Sequence, residues 1–282
     1  LAQSGVDVVA MTAGEPDFQP PQHVLEAARE AIDLGLTKYT PPAGTVELRR
    51  AVAAKFQREN GLSYELDQVM VSTGGKQVLY NGFFSVLDPG DEVLLIAPYW
   101  VSYPAQVELC GAVPVVVTAP AETGFIPDLA DVRAAITPRT KVIVINSPSN
   151  PTGSVYTPEE TKAIGQWALD NGIWVITDEI YEHLTYDGLP NAYILGEVPE
   201  LADQTLVLNG VAKTYAMTGW RVGWMYGPAD IIKAATNMQS HMTSNVANVS
   251  QAAALEALTG DQSSVTEFRE AFDRRRGLIV AE

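Results

Sequence analysis

The chain has 282 residues, 46% of them apolar, with 34 acidic against 18 basic side chains and a net charge of −16. That length suits one large α/β domain, or one domain with part of another, and the acidic balance disfavours nucleic acid as a partner and suits a soluble cytoplasmic protein. The single cysteine, Cys110, excludes an internal disulfide, three scattered histidines do not make a metal site, and no apolar run approaches membrane-spanning length.

Taken in order, the first residues (LAQSGVDVV) read as the tail of a helix running into a strand over Val8–Met11. Gly and Pro make a turn of the next stretch, TAGEPDF from Thr12 to Phe18. A helix is predicted over Val24–Leu34, followed by a Pro/Gly turn, KYTPPAG, with a half-exposed tyrosine, Tyr39. Thr45 opens a helix in which Leu48, Val52 and Phe56 recur every four residues, and Gly61 stops it. Its cations Arg49, Arg50, Lys55 and Arg58 read as a solvated face. A strand over Gln68–Ser72 turns through Thr73-Gly74-Gly75-Lys76 into a helix over Gln77–Leu87. Strand, glycine turn and helix N-terminus together form an anion site, because free N–H groups and the positive end of the helix dipole face one point. Two adjacent glycines alone carry little information.

Glu92–Ile96 reads as a strand that ends in the aromatic cluster APYWVSYP, and such a cluster is more often core than ligand contact. Val113–Val117 is a β-branched run. Lys141–Ile145 reads as a buried strand, followed by NSPSNPTG, an Asn/Pro/Gly loop that is a turn by default. Thr157-Pro158-Glu159-Glu160 is a capping box with Pro at the first helical position, and that helix ends near Gly172. The strand over Ile173–Thr177 runs into Asp178-Glu179-Ile180-Tyr181. An aspartate at the carboxyl end of a buried strand lies where α/β proteins bind ligands, although position alone equally suits a turn residue. Pro228 starts a helix, Asn248–Leu258 forms an Ala-rich one, and Val265, Phe268 and Phe272 mark an amphipathic pattern running toward Glu282. The alternation of strands and helices predicts a mostly parallel sheet flanked by helices.

The stretch Thr205–Tyr226, TLVLNGVAKTYAMTGWRVGWMY, organises the rest. Two short apolar runs, Thr205–Leu208 and Val222–Tyr226, read as buried strands, with Asn209 and Gly210 breaking the first. Lys213 and Arg221 lie eight residues apart in the loop between them. Lysine condenses with aldehydes once burial lowers its pKa, and the arginine fork suits a phosphate. Pyridoxal 5′-phosphate (PLP) carries both an aldehyde and a phosphate. By spacing alone, a surface loop with two ordinary cations fits equally well.

AKTYAMTGWRVGW resembles the lysine motif of the class I aminotransferases, the fold-type I PLP enzymes. The resemblance is closest to the bacterial aspartate aminotransferases of the branch that also contains aspartate/prephenate aminotransferases, and it runs in order through nearly the whole chain. It implies a PLP-binding large domain over 25–262, a segment of a small domain and substrate loop over 1–24, and the start of a connecting helix over 263–282. The chain then reads as a fragment cut at both ends. The arginine that pairs with the substrate α-carboxylate in the family would lie in a further C-terminal segment.

The resemblance also implies roles. Lys213 would hold PLP and move a proton at the substrate Cα. Asp178 would face the pyridine nitrogen, and Asn150 and Tyr181 the phenolic oxygen. Trp100 would stack on the ring, and Gly74, Gly75, Lys76 and Arg221 would form the phosphate cup. Gly14 would meet the substrate α-carboxylate, with Trp100 and Asn150 also at the substrate. Tyr39 would reach the PLP phosphate of a partner subunit, implying a homodimer. Lys76, in GGKQ, would face the distal carboxylate of acidic substrates.

The expected reaction is amino transfer between aspartate or glutamate and a 2-oxo acid such as 2-oxoglutarate or oxaloacetate. Prephenate, aromatic or alanine-type substrates, a PLP β-lyase or synthase, and a non-catalytic sensor domain of a transcription regulator are the alternatives. Some relatives carry serine at the positions of Ala212 and Gly210, so a hydroxyl contact to the phosphate is lost here.

Overall fold

A computed structural model of the protein describes Gly5, Asp7 and residues 14–281. The strand expected over Val8–Met11, with Thr12 and Ala13 after it, lies outside the described residues. The element order begins α1 (Gln22–Asp33), α2 (Val46–Asn60), β1 (Val69–Ser72), α3 (Gly75–Val86), β2 (Glu92–Ala97), α4 (Ser102–Leu109) and β3 (Val113–Thr118). It continues with α5 (Leu129–Ala134), β4 (Thr140–Asn146), α6 (Pro158–Asp170), β5 (Trp174–Asp178) and the single turn α7 (Ile194–Glu197). The last elements are β6 (Thr205–Gly210), β7 (Gly223–Tyr226), α8 (Ala229–Met242), α9 (Asn248–Thr259) and α10 (Ser263–Ala281).

The strands form one sheet in the order β1-β7-β6-β5-β4-β2-β3. Pairs from β6 through β3 are parallel, as helical crossovers between successive strands require. β7 returns directly from β6 and runs antiparallel to both β6 and β1. Alternate residues of each strand feed opposite layers. One face collects Val69, Val71, Leu94, Ile143 and Ile145 with Phe56 of α2 and Trp167 of α6. The other collects Met70, Val93, Leu95, Val142 and Val144 with Leu79 and Phe83 of α3. The result is a three-layer α/β/α body with the carboxyl ends of β4, β5 and β6 on one edge.

Local chemistry accounts for the helix ends. The Thr45 side chain accepts from Leu48 N at the start of α2, and Gly61 closes that helix in the left-handed region. Thr157 and Glu160 form the expected capping box ahead of Pro158.

Two expectations are corrected, and one helix had no expectation. Asn209 and Gly210 do not break β6: they stay in the strand, paired with Trp224 and Gly223 of β7. The cations of α2 do not all form a solvated face. Lys55 is 1% exposed, with its ammonium 2.6 Å from Glu182 and 2.9 Å from Glu59. Arg49, half-buried, donates to the carbonyls of Val69 and Leu66. The aromatic cluster after β2 leads straight into α4, whose buried positions Tyr103, Gln106 and Val107 follow helical spacing but include a glutamine that hides the apolar stripe.

Candidate active site

The carboxyl ends of β4 and β5, the N-terminus of α3 and the loop between β6 and β7 enclose a cavity of about 590 Å³. Gly14, Gly75, Lys76, Trp100, Asn150, Asp178, Tyr181, Lys213 and Arg221 line it. Residues as far apart in sequence as Gly14 and Arg221 thus line one cavity.

Lys213 enters from the β6–β7 loop. Its ammonium donates to the Gly14 carbonyl and sits 5.6 Å from the centre of the Tyr181 ring. Burial, reinforced by the charge of Arg221, pushes the Lys213 pKa below the ordinary lysine value, against the opposing pull of Glu15 and Asp178. At any given pH the free-amine fraction of Lys213 is therefore larger than that of an ordinary lysine.

Asp178 is the last residue of β5, in register with Asn146 of β4. Tyr103 donates from its hydroxyl to Asp178 Oδ2 at 2.9 Å, and the Ile180 amide donates to Oδ1 at 3.3 Å. Burial raises the Asp178 pKa, while these two donors and the Lys213 charge pull it back without cancelling the rise. A carboxylate so desolvated has most to gain from a cation placed against it. Asn146 fixes two neighbours at once: its amide donates to the Asp178 carbonyl at 2.9 Å, and its side-chain oxygen accepts from Asn150 N at 2.7 Å. Asn150 in turn donates to the Tyr181 hydroxyl at 3.4 Å, so the expected pair converges.

The anion cup is built by close approach. Gly74 has φ +83° and precedes α3, which has no side-chain cap. A Cβ on Gly74 would lie 2.5 Å from Arg221 Nη2, so the guanidinium rests directly on the glycine turn. A Cβ on Gly223 would lie 2.7 Å from Gly75 N, so the β7 backbone packs against the same turn. Arg221 itself has φ +56°, a left-handed conformation uncommon for a side-chain-bearing residue, and donates from Nη1 to the Thr218 carbonyl at 2.7 Å. Helix N-terminus and guanidinium therefore address one point.

Lys76 stands at the mouth, its ammonium 4.9 Å from the centre of the Trp100 ring, and Trp100 meets Tyr103 edge-on. Tyr39 does not line the cavity and is 90% exposed. Gly210 cannot carry a serine here, because a Cβ would lie 2.8 Å from the Val222 carbonyl oxygen.

Sequence reasoning passed over Tyr103, Asn146, Thr218 and Glu15, which also line the cavity, with Thr218 donating to Glu15 at 3.0 Å. For Tyr103 and Asn146 a signal existed: one lies three residues past Trp100, and the other is the last residue of a strand. Away from the cavity lining, Glu59, Glu182 and His183 converge closely enough to hold a metal ion, but the Lys55 ammonium already sits between the two carboxylates.

Comparison with known proteins places these features in context. The family model described as aminotransferase class I and II matches residues 6–282. The chain is 53% identical over 281 residues to an aspartate aminotransferase of Streptomyces avermitilis, covering 99% of this chain and 69% of that protein. It is 50% identical over 283 residues to an aspartate/prephenate aminotransferase of Thermus thermophilus, covering 99% of this chain and 72% of that one. The structure superposes with a TM-score of 0.96 on an aspartate aminotransferase from Thermus thermophilus solved with maleate, at 49% identity, over 99% of this chain and 73% of that chain.

Proposed function

The chain belongs to the class I and II aminotransferases, and on that premise we propose that it binds PLP in the cavity described and transfers an amino group between aspartate or glutamate and a 2-oxo acid. The observation that carries this reading is the convergence of three unlike groups on one cavity: the Lys213 amine, the Asp178 carboxylate and the Gly74–Arg221 anion cup. An aldehyde, a protonatable ring nitrogen and a phosphate have a counterpart each, and the volume accommodates the cofactor. When bound, PLP supplies a carbonyl that condenses with amines and a ring that accepts electrons.

The chain's own residues supply the rest. Lys213, with its basicity lowered by burial, is the base for the proton on the substrate Cα. Asp178, braced by Tyr103 and the Ile180 amide, would keep a proton on the ring nitrogen. Asn150 and Tyr181 would donate to the phenolic oxygen, the Gly75 and Lys76 backbone with the Arg221 guanidinium would hold the phosphate, and Trp100 would lie against the ring. Gly14 offers its backbone to the substrate α-carboxylate. The Lys76 ammonium, held over Trp100 at the mouth, is the cation for a distal carboxylate. Maleate, present in the solved Thermus relative, is a dicarboxylate, which supports this assignment. Prephenate, in the name of another relative, also bears two carboxylates and is the second substrate class.

The working unit is a homodimer. The end of α1 and the turn after it expose Ile32, Leu34, Leu36 and Tyr39, an apolar patch suited to a partner subunit. The cofactor-binding body would span residues 25–262, although its first helix α1 already begins at Gln22, and the flanking stretches would belong to a second unit, in keeping with Phe18 stacking on Phe268 at 4.4 Å. No described helix is long and apolar enough to cross a membrane.

Borohydride reduction of the PLP-loaded protein followed by peptide mapping tests the reading. The expected label is on Lys213, with aspartate and 2-oxoglutarate supporting turnover. A label on another lysine overturns the site.

A further inference from the structure

Among the described residues Tyr39 is the most exposed of the large apolar and aromatic side chains, yet the chain on either side of it is tied down, at the Lys38 carbonyl and the Thr40 hydroxyl. Asn248, the first residue of α9, donates from Nδ2 to the Lys38 carbonyl at 2.6 Å and accepts from the Thr40 hydroxyl at 3.2 Å. Gln251, 1% exposed, donates to Thr40 Oγ1 at 3.1 Å and accepts from Thr45 N at 2.8 Å. Two amide side chains, one turn of helix apart, thus grip the chain immediately before Tyr39, immediately after it, and again where α2 begins. The Tyr39 side chain is left facing outward, with Lys38 and Pro41 exposed beside it. Fully partnered amides of this kind rigidify what they bond, and a rigid donor loses less freedom on binding than a mobile one.

We propose that Asn248 and Gln251 are positioning residues that present Tyr39 to a second copy of this chain, so that the N-terminus of α9 in one subunit sets how tightly the other subunit holds PLP. This rests on the reading of Tyr39 as a donor to the partner's PLP phosphate. Asn248 and Gln251 touch neither cofactor nor substrate; they act through Tyr39.

The test is the PLP dissociation constant of the full-length apoprotein, by absorbance titration, together with its melting temperature. Tyr39→Phe should weaken PLP binding about ten-fold, the loss of one charge-assisted hydrogen bond. Asn248→Ala should weaken it several-fold, and the double variant should bind no more weakly than Tyr39→Phe alone, because the amide has nothing left to position. Asn248→Asp separates positioning from stability. A carboxylate in the first turn of α9 suits the helix dipole, so the melting temperature should hold or rise, while the donor to the Lys38 carbonyl is lost and PLP affinity still falls. If Asn248→Ala leaves PLP affinity unchanged, or its loss multiplies with that of Tyr39→Phe, the positioning role is wrong. If Tyr39→Phe itself changes nothing, the reading of Tyr39 fails, and this inference with it.

Discussion

Substituting Gly74 by alanine isolates the anion cup from the rest of the fold. Two effects act on that methyl group. Gly74 has φ +83° and ψ 164°, a region essentially reserved for glycine, and holding an L-residue there costs about 1–3 kcal/mol. The new Cβ would also stand 2.5 Å from Arg221 Nη2 and 2.7 Å from Cζ, whereas ordinary contacts begin at 3.4 Å. The guanidinium is the far end of a flexible side chain, so it swings away by roughly 1 Å, at little cost to folding. It then no longer aims at the point addressed by the α3 N-terminus. A charge-assisted bond to the PLP phosphate is worth about 1.5–3 kcal/mol, and because Arg221 is exposed in the single chain, the lower figure applies. The PLP dissociation constant should therefore rise about ten-fold.

Gly61→Ala is the control for positive-φ strain. Gly61 has φ +70° and ψ 11°, the left-handed helical region, and nothing within 4 Å of its built Cβ, so it carries a milder backbone strain without the contact. Both variants should melt at lowered temperatures, Gly74→Ala the lower of the two, but only Gly74→Ala should lose PLP in an absorbance titration of the apoprotein. Wild-type PLP affinity in Gly74→Ala would refute the placement of Arg221 over the glycine turn as the phosphate grip.

Asp178→Asn should keep PLP bound but lower kcat on the order of 100-fold or more, since a neutral amide cannot hold a proton on the ring nitrogen; steady-state turnover with aspartate checks this. Lys76→Ala should reduce kcat/KM for aspartate about ten- to hundred-fold and leave alanine nearly unchanged, and an equal loss for both donors would reassign Lys76 to the phosphate. Lys55→Met should destabilise the fold by about 3–5 kcal/mol in denaturant unfolding, because Glu182 and Glu59 lose a buried counter-ion, and adding Glu182→Gln should restore part of it. Burial pushes the Glu59 carboxyl up, but His183 and Lys55 outweigh it and hold the pKa at about 2, below the ordinary 4.5. Its contribution is therefore complete above pH 4.5 and lost as pH falls from there toward about 2, and that loss should shrink in Lys55→Met.

What the sequence determined by itself is the chemistry held in short stretches. A glycine turn between a strand and a helix, an aspartate ending a buried strand, and a lysine and an arginine in one loop are local statements. The structure brings all of them to one cavity, because strand ends in a parallel sheet lie on the same edge whatever the order of the strands. The tertiary structure alone decided the pairings across long separations. Lys55 reads as a solvated helix cation until Glu182, more than a hundred residues on, is packed against it. Asn209-Gly210 reads as a turn until Trp224 and Gly223 pair with it as strand. Tyr103 reads as core until β5 carries Asp178 to its hydroxyl, and Asn248 reads as a helix start until the Lys38 carbonyl arrives. In each case the residue type permits both roles, and the choice is made by which distant element the sheet order and helix packing bring into contact, a quantity no local pattern encodes.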